Sequence, residues 1–340
     1  MISSPPVLAR RQGLIEPVAL ALPQPHTARM DAQTPMKQTL MQQDPHDPST
    51  WPTGLAERVE PLVRRVLAPN PSPYTFTGTE TYVIGTERDV AVIDPGPAGG
   101  DGPYSASGHV EAILATIGTA KLAAIMCTHT HRDHSPASRA LKAATGAPII
   151  GCAPLALADD GPRADAAFDP DYVPDRVLAD GESISGDGWT IAAVATPGHT
   201  SNHLCYSLVE SGALFTGDHV LGWSTSVVSP PDGDMGHYMA SLQKLYERQD
   251  TVYYPAHGPA VHNTRQFIRG MMGHRRQRER QILKLLEETP AAIEAMVPRM
   301  YKGLDPRLTG AAGRSVLAHL EDLERQGRVS RSDETWTISI

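Results

Sequence analysis

The sequence predicts a mixed α/β fold with a smaller, mainly helical domain at its C-terminal end. Three observations carry this reading. Between residues 81 and 258, short apolar runs alternate with stretches of helical spacing, and Gly, Pro, Asp or His punctuates the ends of the runs. From residue 264 onward the chain turns helical and basic, then closes on an alternating segment. A length of 340 residues exceeds the usual single-domain size, so one large and one smaller domain are expected.

Taken in order, residues 1–55 are rich in Pro, Gln, Thr and Ser and read as a disordered or loosely packed extension. Residues 56–263 form the first domain. In it "TYVIGT" (81–86) and "DVAVID" (89–94) read as strands joined by a tight turn. "PGPAGGDGPYSASG" (95–108) is a loop, and "HVEAILATIG" (109–118) has helical spacing at Val110, Ile113, Leu114 and Ile117. "LAAIMC" (122–127) is a buried strand, "SRALKAATG" (138–146) a helix stopped by Gly146, and "APIIG" (147–151) another strand. Further strands are expected at "WTIAAVATPG" (189–198), "HLCYSLVE" (203–210), "GALFTGD" (212–218) and "TVYYPAHG" (251–258), with a helix at "HYMASLQKLYERQ" (237–249).

Residues 264–340 form the second domain. "RQRERQILKLLEE" (276–288) is amphipathic. "AAIEAMVPRMY" (291–301) aligns Ile293, Met296, Val297, Met300 and Tyr301, although Pro298 should kink or split it. "TGAAGRSVLAHLEDLERQG" (309–327) sets Val316, Leu317, Leu320 and Leu323 on one face and stops at Gly327. "RVSRSDETWTISI" (328–340) alternates like a hairpin. Three helices and two short strands make the plan of a winged helix.

Composition excludes some classes. No apolar run reaches the roughly 18 residues of a membrane span. Cys127, Cys152 and Cys205 each lie in an apolar stretch, which is no disulfide framework and suits a reducing, cytoplasmic setting. The net charge of −8 is unevenly shared: residues 1–263 carry 16 Lys+Arg against 28 Asp+Glu, and residues 264–340 carry 14 against 10. The basic excess gathers in "RGMMGHRRQRER" (269–280). Its ordinary meaning is a solvated helix face, and its functional one is an anionic partner such as nucleic acid.

The chemistry concentrates in "MCTHTHRDHSPAS" (126–138). His129 and His131 are two apart, so on an extended segment both imidazoles leave the same side. Asp133 and His134 follow where the chain turns and can aim at a second, nearby point. Neutral imidazole suits zinc, and a carboxylate adds a hard oxygen donor. His199, Asp218 and His257 complete two sites from later strand ends, each beside a glycine that permits a tight turn. His129, His131 and His199 would hold a first metal, and Asp133, His134 and His257 a second, with Asp218 as a bridge. Two metals roughly 3.5–4 Å apart share one water and lower its pKa. Asp94, at the end of "VIDPG", is read as orienting a ligand imidazole. His26, His46, His109, His203, His262, His274 and His319 lack this setting; His219, next to Asp218, and His237 could line the site but are not read as ligands.

The order His129–His131–Asp133–His134, then His199, Asp218 and His257, resembles the metallo-β-lactamase fold superfamily over residues 56–263. The resemblance implies an αββα sandwich with a binuclear site at one edge of the two sheets. "NPSPYTFTGTETYVIGT", "GDHVLGWSTSVV" and "HRRQRERQILKLLEE" look like the lactamase-β-2-like branch, which carries a C-terminal winged helix. The implied activity is a binuclear zinc hydrolase, with iron or manganese as alternative metals, acting through a metal-bridged hydroxide on an ester or thioester of a small molecule. Asp133 or Asp218 would orient the water, and loops 95–108 and 222–236 would rim the pocket. The alternative is a zinc-dependent endoribonuclease holding single-stranded RNA with the basic stretch. A DNA-binding regulator fits less well, because the helix at 309–327 carries Glu321, Asp322 and Glu324 beside Arg314 and Arg325. Packing or homodimerisation suits that helix better.

Overall fold

The computed structural model describes residues 51–99, 106–155 and 167–339, so the extension read over 1–55 lies, but for its last five residues, outside them. The first sheet is built by β1 (Ala56–Glu60), β2 (Val63–Leu67), β3 (Glu80–Gly85), β4 (Asp89–Ile93) and β5 (Lys121–Met126), in that spatial order. All neighbours pair antiparallel except β4 and β5, which are parallel because the helix α1 (His109–Ile117) crosses over between them. The sequence pattern did not disclose β1 and β2. "AERVE" is an exposed edge strand, and "VRRVL" hides Arg65 between Glu57 at 2.6 Å and Glu80 at 3.3 Å. A charge buried against a partner breaks the apolar alternation that would mark a strand.

The helix α2 (Ala137–Thr145) follows β5, and two short parallel strands, β6 (Ile150–Gly151) and β7 (Arg176–Val177), lead out of the first half. The second sheet comprises β8 (Ser183–Gly186), β9 (Trp189–Ala195), β10 (Leu204–Leu208) and β11 (Ala213–Gly217). After the helix α3 (Met235–Glu247) it gains β12 (Val252–Pro255). Here too the pairs are antiparallel except the last, β11 with β12. The inner faces meet in a core that includes Tyr82, Phe215 and Tyr254, whose rings lie 4.9 to 5.6 Å apart.

Direction decides where function can sit. β9, β11 and β12 run the same way, so their C-terminal ends share one edge, as do those of β4 and β5. The two edges are tied together across the sandwich. Tyr82 OH donates to Pro255 O at 2.6 Å, Tyr206 OH to Cys127 O at 2.7 Å, Glu80 N to Ala256 O at 2.8 Å and Leu204 N to Thr128 O at 2.8 Å.

The helix α4 (Thr264–Glu288) starts twelve residues before the amphipathic segment read from the sequence. Gly270 and Gly273 argue against helix there, but burial of Phe267, Ile268, Met271 and Met272 against α3 overrides them. The far half of α4 joins α5 (Ile293–Met300), α6 (Thr309–Arg325) and the hairpin β13 (Val329–Ser332)–β14 (Thr335–Ile338) around Leu286, Leu320 and Trp336. Pro298 does not split α5. The carbonyl it leaves without a donor belongs to exposed Glu294, where water can serve it, while Met296, Val297 and Met300 hold the other face. No helix among the described residues is long and apolar enough to cross a membrane.

Candidate metal centre

Each of the seven side chains singled out by the sequence lies just past the C-terminal end of a strand. His129, His131, Asp133 and His134 follow β5, His199 follows β9, Asp218 follows β11 and His257 follows β12. The structure brings them together in two groups whose donor atoms lie within 4.8 Å of one another: His129, His131, His199 and Asp218, and Asp133, His134 and His257. Asp218 also touches the second group. Its Oδ2 is 3.6 Å from His199 Nε2, while its Oδ1 is 3.5 Å from His134 Nε2 and 3.3 Å from His257 Nε2.

The residues around the imidazoles fix their tautomers. His134 Nδ1 faces Asp94 Oδ2 at 3.1 Å, His199 Nδ1 faces Val227 O at 2.6 Å and His257 Nδ1 faces Gly78 O at 3.0 Å. A carbonyl or carboxylate oxygen only accepts, so each Nδ1 carries a proton, and in the neutral ring, the form that can bind a metal, each Nε2 offers a lone pair. Thr128 Oγ1 spends its proton on Asp94 Oδ2 at 2.8 Å and therefore accepts from His129 Nδ1 at 3.0 Å. His129 Nε2 and His199 Nε2 then converge on His131 Nδ1 at 2.9 and 3.2 Å. His134 Nε2, His257 Nε2 and Asp218 Oδ1 are buried with no hydrogen-bond partner. A single proton on His131 Nδ1 can serve only one of the two nitrogens facing it, and a lone pair left over there, like buried acceptors without a partner, is unfavourable unless a cation sits among them. The donor set fits a divalent metal.

Electrostatics separates the two groups. Burial and the neighbouring His134 and His131 hold His129 well below the ordinary imidazole range, and burial and His131 lower His199. Both shifts favour the neutral ring, the form a metal would require. Burial also opposes a charge on His134, yet Asp133, Asp218 and Asp94 together push it well above that range. Asp133 is held at about 2, because His134 and His257 outweigh the desolvation that burial imposes on its carboxylate. Around the second group the carboxylates create a demand for positive charge.

Asp94 takes the orienting role expected of it. Its φ of 48° is the left-handed turn that Asp tolerates better than most residues. From there Oδ1 accepts from Thr128 N at 2.7 Å, while Oδ2 accepts from both Thr128 Oγ1 and His134 Nδ1. Asp94→Asn keeps the shape but sets an amide N–H₂ against these donors. The variant is expected to lose roughly 10–100-fold in metal affinity, measured by chelator competition on protein of unchanged circular dichroism. Affinity equal to the parent's would show that Asp94 does not orient His134.

Two further histidines belong to this neighbourhood: His203, which the sequence pattern does not single out, and His219, which it allows as a lining residue. His203 stacks on His129 with ring centroids 5.2 Å apart, its Nδ1 2.9 Å from Thr196 Oγ1 and its Nε2 buried without a partner. His219 packs on Tyr238 at 4.7 Å with both ring nitrogens unpartnered. His203 falls immediately before β10, where pattern alone does not tell which way a side chain points. Its room is made by Gly217, where a Cβ would come 2.5 Å from Thr128 Oγ1 and 2.8 Å from His203 Nε2, a contact that only the fold reveals. His237 and His262 are exposed, while His109, His274 and His319 stand apart from the seven donors.

Comparison with known proteins places this geometry. Residues 74–257 match the family model described as the metallo-beta-lactamase superfamily, and residues 292–336 match the beta-lactamase associated winged helix domain. An atrochrysone carboxyl ACP thioesterase from Cryptosporiopsis sp. (strain 8999) is 33% identical over 249 residues, which are 73% of this chain and 70% of that protein. A beta-lactamase-like protein 2 homolog from Caenorhabditis elegans is 32% identical over 232 residues, 68% of this chain and 73% of the relative. The fold is shared with a beta-lactamase domain protein from Burkholderia ambifaria, at TM-score 0.70 and 21% identity over 85% of this chain and 95% of the other. Sequence order, sandwich topology and family match thus agree: the chain belongs to the metallo-beta-lactamase superfamily and is a hydrolase with a C-terminal winged-helix domain.

Proposed function

We propose that this chain is a binuclear zinc hydrolase of small acyl thioesters. The observation that carries the proposal is the Asp218 carboxylate, one oxygen facing His199 and the other facing His134 and His257. Such a carboxylate suits a shared ligand of two cations, and five imidazoles suit zinc better than magnesium or calcium. When bound, the metals would supply an activated water and polarise the carbonyl that it attacks.

The side chains do the rest. Asp133 and Asp218 are the partly open carboxylates of the site, their side chains 12% and 13% exposed, placed to orient the attacking water and take its proton. Trp223, within the 222–236 segment read as a pocket rim, stacks on Phe76 at 4.8 Å beside Gly258, and offers an apolar wall next to His257. Part of the other expected rim, residues 100–105, lies outside the described residues. Relatives named as atrochrysone carboxyl ACP thioesterases support a thioester as the scissile bond.

The RNA reading draws less support. Arg275 and Arg278, central to the basic stretch, are 3% and 6% exposed and donate to the carbonyls of Ser226 and Met300. Arg325 on α6 is paired with Asp234 at 2.8 Å. These cations hold the chain to itself rather than facing a strand.

The test is metal analysis of purified protein, then thiol release from a panel of acyl thioesters, run beside cleavage of labelled single-stranded RNA. Thioester turnover abolished by a chelator, restored by zinc and lost in His129→Ala is expected. Turnover indifferent to His129→Ala would sink the proposal, and zinc-dependent RNA cleavage without thiol release would replace it with the nuclease.

A further inference from the structure

The C-terminal helices reach the metal centre at one side chain. Arg275 on α4 is 3% exposed, and its Nη2 donates to the carbonyl of Ser226. Ser226 is buried as well, and its hydroxyl lies 3.2 Å from His199 Nδ1. The next carbonyl along, Val227 O, is the acceptor 2.6 Å from that same nitrogen. The guanidinium also sits 5.0 Å over the Tyr238 ring, whose OH donates at 3.0 Å to the carbonyl of His219, the residue after Asp218. One arginine therefore holds the backbone beside His199 and packs on the tyrosine that holds the backbone beside Asp218.

Keeping a guanidinium there is costly. Burial strips its water, its hydrogen bond goes to a carbonyl rather than a carboxylate, and its Nε has no partner. A methionine would fill similar space without that penalty, so core packing alone does not account for the residue. What the arginine supplies is a fixed 226–227 peptide.

We infer that Arg275 is a positioning residue of the metal centre: by holding the 226–227 peptide it keeps Val227 O on His199 Nδ1 and aims His199 Nε2 at the first group of donors. The inference rests on the proposed role of His199 as a ligand. It makes the C-terminal part of the chain a structural participant in the chemistry, acting through a backbone carbonyl.

The test titrates the full-length, metal-stripped protein with zinc alone, in competition with a chromophoric chelator. The parent is expected to bind zinc in two steps, and His199→Ala to abolish one of them. Arg275→Met should weaken that same step by roughly 10–100-fold and leave the other where it was. Thioester turnover of Arg275→Met should fall at limiting zinc and recover with excess. An arginine that is merely structural would lower the unfolding midpoint while both steps stayed in place, and that result overturns the inference. Should Arg275→Met not fold, Arg275→Lys decides: it retains a donor without the fork, so a weakened first step supports the inference and unchanged steps overturn it. Unchanged zinc binding in His199→Ala would instead refute the ligand role on which the inference stands.

Discussion

Asp218→Ala is expected to lower kcat/KM for a thioester by about 10³-fold, the scale seen when a preorganised group at a reacting centre is removed. The carboxylate lies within reach of both groups, one oxygen at 3.6 Å from His199 and the other at 3.3 Å from His257. Without it no carboxylate would join the two groups, and the proposed shared ligand would be lost. Asp218→Asn should lose nearly as much, because an amide has one acceptor oxygen where two are required. Steady-state thiol release and zinc content per chain are the measurements. Activity of Asp218→Ala within a few-fold of the parent would exclude the shared-carboxylate reading.

The second large effect belongs to a residue that carries no chemistry. Gly198 sits at φ 138°, a conformation that side chains rarely adopt, and a Cβ there would come within 2.3 Å of Tyr238 Cα. Its carbonyl accepts from Asp234 N at 2.9 Å, fastening the His199 loop to the start of α3. Asp234 caps that helix by accepting from His237 N. Gly198→Ala must move either the loop or the helix. Left-handed strain and overpacking together are expected to destabilise the protein by about 3 kcal/mol. Because His199 is the next residue, zinc affinity should fall with stability. Urea unfolding of the metal-free and zinc-loaded protein reads both, and an alanine variant matching the parent in each would show that this contact yields freely.

How far the sequence disclosed the molecule depended on whether a signal was local. His129 to His134 crowd into six positions, and nothing in packing requires that density, so their meeting could be read directly. His199, Asp218 and His257 were legible because glycine and strand ends mark where a chain turns toward a site. His203 was not, since its place against His129 is set by the pairing of β10 with β9 and by the missing side chain of Gly217. The strand β2 was hidden because Arg65 owes its burial to Glu80, fifteen residues later, and β1 because it is an exposed edge that only its pairing with β2 defines. The start of α4 was obscured by two glycines that only the tertiary contact with α3 outweighs. In each miss the deciding partner was distant along the chain.

The two sheets use one plan twice. Each is a run of four antiparallel strands, then a helix, then a fifth strand laid parallel to the fourth. No repeat is visible in the residues, so the likeness is one of connectivity alone. The two copies contribute unequally to the centre: His129, His131, Asp133 and His134 come from the first, and His199, Asp218 and His257 from the second. Neither copy alone holds a full set for either group. The centre is in effect a subunit-interface site whose subunits are joined in one chain, and the covalent link between them guarantees one copy of each half at every site.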